Sequence, residues 1–334
     1  APAAALSNYT ITSTPADLAI TPATLTIAAK DANKTYDGTA YSGGNGVTVT
    51  GLTNGDLEST VTAAITFGGT SQGARNVGSS YTIVPSGYTS DNYTITYLPG
   101  TLTITPKPAS VTVAAATKVY GSADPAFTGN LTGFVAGDNV TATYSRAPGE
   151  NVGTYAITAT LAPAAALSNY TITNTPADFT ISNAGQTIAF DPLADKTYGD
   201  AAFSLTATSS SGLPVSYSSS DPSVASVSGL TVTIHKAGPV TITASQAGDG
   251  NYSAATPVDH TFTVLKKAAS VVATPAGKVY GTADPSLSGT LTGFLAADNV
   301  TASYSRTAGD SVSGSPYTIT GTPGRASGVL GSYS

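Results

Sequence analysis

No cysteine, methionine or tryptophan occurs anywhere in the 334 residues. Without cysteine there is no disulfide, no thiol chemistry and no cysteine-ligated metal. Whatever holds the chain together must be cores, hydrogen bonds or another kind of crosslink. Charge is also scarce, at 10% of residues. The 13 Lys and Arg are scattered and outnumbered by 19 Asp and Glu, so no basic stripe exists to neutralise phosphates and nucleic acid is excluded as a partner. No apolar run reaches the 18 or so residues that would span a bilayer as a helix. No window of eleven or more residues carries a helical hydrophobic period. No Gly-rich turn follows a strand into a helix, and no G-x-S-x-G accompanies the serine-rich stretches, which removes phosphate cradles and that type of hydrolase nucleophile. The low charge and high Ser/Thr content point outside the cell.

What is present is repetition. KVYGSADP at 118–125 returns as KVYGTADP at 278–285, and KTYDG (34–38) and KTYGD (196–200) echo it. The marker lysines Lys34, Lys118, Lys196 and Lys278 lie 84, 78 and 82 residues apart. That period is a small domain, not a solenoid turn. Each unit opens on an alternating run (TLTIAA, SVTVAA, QTIAF, SVVAT). Three close on another, TLTIT (101–105), DFTI (178–181) and HTFTV (260–264). Period-two alternation rich in β-branched residues and Tyr predicts strands, with NG, DG and GD as turns. One helical turn is expected, at FVAGD and its equivalents. The divisions are 1–23, 24–106, 107–184, 185–265 and 266–334. Segments joined by hinges as short as TPKPAS predict a rod, about 150 Å long if each domain spans 35–40 Å.

Several residues recur with the period. Tyr36, Tyr120, Tyr198 and Tyr280 follow the opening strand; burial of the ring with a satisfied hydroxyl at the domain edge is expected, against an exposed sugar platform. Gly121, Gly199 and Gly281 are expected to adopt a turn conformation that resists a side chain. The lysines, with Asn92, Asn169 and Asn251 before a late Tyr, admit two readings: edge lysines that discourage strand pairing, or intramolecular Lys–Asn isopeptide bonds. The second needs a buried neutral amine and a neighbouring acid, and Asp37, Asp124 and Asp200 stand at differing steps from their lysines. Asp138–Asn139 and Asp298–Asn299 read as turn caps, or as part of a calcium site completed by Asp124 or Glu150. Arg146 with Glu150, and Arg306 with Asp310, predict a hairpin salt bridge. His235 and His260 read as partly exposed strand residues. Asn251 and Asn299 stand in Asn-x-Ser/Thr sequences. No catalytic, cofactor-binding or metal-ligating residue is assigned.

These motifs resemble known families. KTYDGT…GLTNGD…NVGSSYTI…NYTITYLPGTLTIT resembles the YDG domain of bacterial surface proteins. KVYGSADP…GNLTGFVAGDNV…GENVGTYAIT…LSNYTITNTPADFTI resembles the MBG domain of the YGX type. KTYGDAAFSLTATSSSGLPVSYSSSDPSVASVSG is similar to bacterial Ig-like domains. The resemblance implies a mainly β chain of tandem small domains, with an Ig-like sandwich at 185–265. For the YDG- and MBG-like units it leaves open a β-sandwich or a small two-layer fold. Residues 1–23 correspond to the closing strands of an MBG-like unit, and 266–334 to an incomplete one. The implied function is a structural stalk segment of a bacterial extracellular adhesin or filament, non-enzymatic and without cofactor, that projects or links a binding region. The alternative is a repeat module that binds polysaccharide or a surface receptor. Partners would be neighbouring repeats of the same or an adjacent chain. Joined head to tail, two chains would complete one domain; an arbitrary cut through a longer array leaves the same ragged pattern.

Overall fold

The structure, a computed structural model, describes residues 6–324 and 328–334. Residues 1–5 of the expected N-terminal closing segment lie outside the described residues. The chain folds as two compact units. The first holds residues up to Ala116 with Pro125–Gly149 and Thr154–Phe179. The second holds Thr117–Asp124, Glu150–Gly153 and Thr180–Ser334.

In the first unit, the strand Ala23–Ala29 (ATLTIAA) alternates, and Leu25 and Ile27 point into the core while the threonines face outward. It pairs antiparallel with Val47–Thr50 and parallel with Tyr93–Leu98. The chain then crosses to a second sheet, of order Ala32–Thr35, Gly100–Thr105, Gly78–Ser86, Thr66–Gly68. There Ala32–Thr35 again runs parallel to Gly100–Thr105. The opening and closing strands of the repeat therefore run side by side and change sheets together. Ile83, Leu102 and Ile104 fill the second sheet's inner face, and Val61, on the short helix Glu58–Thr62, covers one end of the first. Only Pro106 separates Gly100–Thr105 from the next strand, Lys107–Val113.

The next repeat has the same plan. Lys107–Val113 lies between Gly129–Thr132 (antiparallel) and Tyr170–Thr175 (parallel). Thr141–Arg146 pairs antiparallel with Gly153–Ala162. Each of these repeats has a three-stranded and a four-stranded sheet. The expected single turn of helix is present as a 3-10 turn at Ala136–Asp138, and a second short helix, Ala164–Leu167, has no sequence signal of its own.

In the second unit, residues 185–265 build a four-stranded sheet, Lys196–Thr197, Val258–Leu265, Gly238–Ser245 and Ser216–Ser219, against a three-stranded one. Phe262, Val264, Val240, Ile242 and Val232 pack between them. Residues 266–334 follow the plan of 107–184 with fewer strands among the described residues. Ser270–Ala273 pairs with Gly289–Thr292, and Thr301–Arg306 with Ile319–Gly324. Tyr333 takes a single parallel bridge to Lys267, where the earlier repeat has a full strand. The 3-10 turn recurs at Ala296–Asp298.

Candidate functional site: the tyrosine–aspartate joints

The recurrent tyrosines are placed by a backbone bond to the closing strand of their own repeat. Tyr36 N donates to Thr105 O at 2.9 Å, Tyr198 N to Leu265 O at 2.9 Å, and Tyr120 N to Ser182 O at 2.8 Å. Each tyrosine thereby projects from the end of its repeat where the turn begins. A glycine of positive φ follows: Gly38 (77°), Gly121 (81°), Gly199 (90°) and Gly281 (83°). The expectation for Gly121, Gly199 and Gly281 holds. At Gly199 a Cβ would also stand 3.0 Å from both Leu295 methyl carbons, so the neighbouring repeat adds a reason for glycine there.

In the first unit the Tyr36 hydroxyl reaches Asp138, 2.9 Å from each carboxylate oxygen. A second tyrosine, Tyr170, donates to the same carboxylate through Oδ2. The Tyr170 hydroxyl in turn accepts the Val135 N–H at 2.9 Å. The two rings meet edge to face, centroids 5.4 Å apart, and Phe134 packs on Tyr170. The second unit repeats the arrangement with other residues. Tyr198 donates to Asp298 at 3.0 and 2.9 Å, Tyr333 donates to Asp298 Oδ2, and Leu295 N donates to the Tyr333 hydroxyl at 2.9 Å. The rings are again edge to face at 5.4 Å, with Phe294 in the place of Phe134. Tyr36 and Tyr198 are 4% and 6% exposed, and Asp298 is 7% exposed.

A buried carboxylate must be hydrogen-bonded to be tolerated. Two phenol donors meet that need and are charge-assisted, hence stronger than neutral bonds. Burial is the main reason that the Tyr36 phenol is pushed up to about 12, with the hydrogen bond and charge of Asp138 adding to it. Burial likewise raises Tyr170, again with help from Asp138.

Below each tyrosine pair sits an amide clamp. Val77 N donates to Asn169 Oδ1 at 2.9 Å, and Asn169 Nδ2 approaches Asn76 Oδ1 at 3.4 Å. Within the second unit, Val152 N donates to Asn251 Oδ1 at 3.0 Å and Asn251 Nδ2 to Asn151 Oδ1 at 3.2 Å. There Tyr120 meets Tyr252 edge to face at 5.4 Å. At 332, serine replaces the asparagine, and Ala237 N donates to Ser332 Oγ at 2.9 Å.

The sequence reading of the tyrosines as buried architecture is correct for Tyr36 and Tyr198. For Asp138 and Asp298 it needs correction. The adjacent Asn139 and Asn299 occupy the left-handed turn position (φ 50° and 46°) and donate to Gly137 O and Ala297 O. The aspartates themselves face the tyrosines. Asp124 and Glu150 do not join them around a cation; they hold Lys118 Nζ at 2.7 and 2.5 Å. Among the described residues no group of three or more His, Asp and Glu side chains is placed to hold a metal ion.

The isopeptide reading also fails on geometry. Asn169 and Asn251 are committed to the clamps, whereas Lys118 is ion-paired. Hydrogen bonds donated to Asp124 and then to Glu150 raise the Lys118 pKa, the reverse of the neutral amine such a bond requires. Lys34 pairs with Asp37 at 2.8 Å, and Lys196 lies over the Phe203 ring at 5.0 Å. The hairpin salt bridge is present at Arg306–Asp310 (3.0 Å), and Arg306 also reaches Asp284 at 2.8 Å. His235 bonds Ser226 Oγ at 2.7 Å just beyond its strand, and His260 bonds Phe190 O at 2.8 Å within one. The sequence reading missed the second tyrosine and the clamp. Both had a signal: Tyr93 and Tyr170 each follow Asn in NYT, and NVG occurs at 76–78 and 151–153.

A family model, described as MBG domain (YGX type), matches residues 25–103, 109–180 and 269–334, more than half of the chain. The repeat with the YDG motif is matched by the same model as the others, and 185–265 lies outside the matched stretches. Among curated protein sequences none matches. Solved structures similar to the chain include mouse cadherin-23 EC22-24, at 15% identity, covering 72% of this chain and 98% of that one, TM-score 0.29. Sidekick-1 immunoglobulin domains 1-5 are similar at 11% identity, covering 75% and 62%, TM-score 0.27. The surface layer protein SbsC, domains 1-6, is similar at 16% identity, covering 86% of this chain and 47% of that one, TM-score 0.22. No helix among the described residues is long and apolar enough to cross a membrane.

Proposed function

We propose that this chain, which belongs to the MBG domain (YGX type) family, is a structural spacer of an extracellular or cell-surface adhesin or filament, projecting or linking a binding region. It works outside the cell by geometry and not by catalysis. The observation that carries the reading is the joint itself. The same carboxylate-and-two-tyrosine contact is made at Asp138 and again at Asp298, with the same atoms and ring geometry. A chain that spends its recurrent aromatic residues on coupling one repeat to the next is built to transmit position. The binding-module alternative draws no support from these tyrosines, because Tyr36, Tyr170 and Tyr198 are buried and offer no repeated platform to a sugar.

Small-angle scattering of the chain tests the proposal. A compact protein of 334 residues has a radius of gyration of roughly 20 Å. A spacer gives a value well above it, and Asp298→Ala broadens the distribution of distances by loosening a joint. A value near the compact one refutes the spacer role.

A further inference from the structure

The first two repeats hold their opening and closing strands in a way that bears on tension along the chain. In the first, Ala23–Ala29 runs parallel to Tyr93–Leu98 over six residue pairs, from Ala23 opposite Tyr93 to Ala28 opposite Leu98. Both strands then change sheets, and Ala32–Thr35 runs parallel to Gly100–Thr105 over four more, ending with Thr35 opposite Thr105. Tyr36 N adds one further bond, to Thr105 O. The chain therefore enters at one end of a long parallel pairing and leaves at the other. In the second repeat Lys107–Val113 and Tyr170–Thr175 form six parallel pairs, from Lys107 opposite Tyr170 to Thr112 opposite Thr175.

Entry and exit at opposite ends of a parallel pair decide what a pull on the chain does. The strands can part only by sliding along one another, so the hydrogen bonds between them share the load and must fail together. An antiparallel pair would put entry and exit at the same end, and its bonds would open one after another. The connection between the first two repeats adds no slack. Only Pro106, with its fixed φ, stands between Gly100–Thr105 and Lys107–Val113. Tension on one closing strand passes directly to the next opening strand.

The repeat at 185–265 is built differently. Its strand Ile188–Ala189 pairs antiparallel with Thr208–Ser209 and not with the closing strand. Among the described residues, its opening and closing segments meet in two parallel pairs, Lys196 opposite Val264 and Thr197 opposite Leu265. The bond from Tyr198 N to Leu265 O and a single parallel bridge between Ala184 and Tyr252 complete the contact.

We propose that the parallel opening and closing strands of 24–106 and 107–184 are shear clamps that carry tension along the chain, and that the 185–265 repeat yields first and lengthens the chain before they open. The inference rests on the spacer reading only for the source of the pull. Resistance to pulling is measured whatever shape the chain has in solution, so the two readings fail separately.

Single-molecule pulling of the full chain through introduced cysteines tests it, with no native cysteine to compete. In one variant, Thr24→Cys with Thr105→Cys, the handles load the first clamp along its strands. In a second, Thr24→Cys with Asp91→Cys, they pull at one end of the same pairing and peel it. A third, Gly185→Cys with Lys266→Cys, loads the 185–265 repeat. All five residues are exposed, and a Cβ at Gly185 meets nothing within 4 Å; far-UV circular dichroism verifies that the variants keep the fold. The first two variants stretch the same folded repeat, so a difference between them reads direction and not stability. Forced unfolding follows the barrier to opening, and the first variant is expected to give way at about twice the force of the second, or more. It should open in one step of roughly 250 Å, the extended length of the freed chain less its folded span. The third variant is expected to open at a lower force than the first. Equal forces along and across the clamp overturn the proposal. So does a 185–265 repeat that holds as well as the first.

Discussion

Replacing Asp298 by alanine isolates the joint. Its carboxylate is buried and takes two phenol donors, Tyr198 from the preceding repeat and Tyr333 from its own. Hydrogen bonds to a charged group contribute about 1.5–3 kcal/mol each, which gives a gross loss of about 3–6 kcal/mol for the pair. Removing the carboxylate also removes its desolvation cost, an offset of the kind that makes buried charges poor net stabilisers. A net loss of about 2–4 kcal/mol follows. Asp56 provides the control within the same molecule. It is exposed, takes the Tyr93 hydroxyl alone among the described residues, and that hydroxyl has a second acceptor in Thr53 O at 3.3 Å. Asp56→Ala should therefore cost less than about 1 kcal/mol. Asp138, half-buried, should fall between. Several repeats in one chain do not unfold as a single two-state transition, so the assay is scanning calorimetry of the whole protein. For a repeat of this size 1 kcal/mol moves the midpoint by about 4–8 °C, and Asp298→Ala should lower the transition that includes its repeat by on the order of 10–20 °C. If Asp298→Ala shifts no transition more than Asp56→Ala does, the shared carboxylate is not what couples the repeats.

Other residues give sharper contrasts still. Gly199→Ala should destabilise by more than Gly281→Ala: both sit at positive φ, but only at Gly199 does a Cβ meet a neighbour, Leu295, at 3.0 Å; equal midpoint shifts would remove the packing reason. Tyr36, raised above the usual phenol value of 10 to about 12, contributes stability that is intact below pH 10 and lost as the pH climbs towards 12. Phenolate absorbance of wild type against Tyr36→Phe should show that one group titrating late, and a difference spectrum complete by pH 10 would refute its burial. Asp284, held down to about 2 by Arg306 and then Lys278, makes the opposite prediction. Its contribution is present above pH 3.8 and fades as the pH falls towards 2, a small effect because the pair is exposed to solvent screening; Asp284→Asn should flatten that part of the acid melt. Lys118→Met should lower a midpoint further than Lys278→Met, because the Lys118 side chain is far less accessible while each lysine faces two acids, Asp124 and Glu150 for Lys118, Asp284 and Asp310 for Lys278.

The repeat, its period, the strands and the role of Tyr36 and Tyr198 were legible because each is written locally: alternation in ATLTIAA, a Tyr after it with a Gly one or two residues on, a tight turn at VAGD. The partners of those tyrosines were not. Asp138 lies 102 residues from Tyr36 and 32 from Tyr170, and the two phenols converge only because opening and closing strands change sheets together. Alternation gives a strand its inward and outward faces, but it does not say which of two sheets the strand joins. The third repeat shows the same limit. It has the tyrosine of the closing element, Tyr252, but its nearby acid, Asp249, caps a turn through the N–H groups of Asn251 and Tyr252. An acid near a tyrosine in sequence is thus no guide to an acid bonded to it in space. The short helices Glu58–Thr62 and Ala164–Leu167 escaped notice for a simpler reason, being too short to display a helical period.

Residues 118–125 and 278–285 differ at one position, yet their central tyrosines meet different fates. Tyr120 packs edge to face on Tyr252, and Tyr280 stands in solvent. Intrinsic preference cannot separate them, since apart from Ser122 against Thr282 the two octapeptides offer the same side chains to the same turn, with φ near 80° at the glycine. The difference lies in what each turn is given to meet. Burial of the tyrosine is therefore a property of the joint, supplied by the repeat that follows, and not of the motif. It also explains why the motif survives with a loose choice of neighbours, Asp after Tyr36 and Gly after the other three. The turn has only to deliver a hydroxyl, and the energetic decision is taken by the receiving surface: Asp138 and Asp298 with a second tyrosine each, or the Tyr252 ring with the Asn251 clamp.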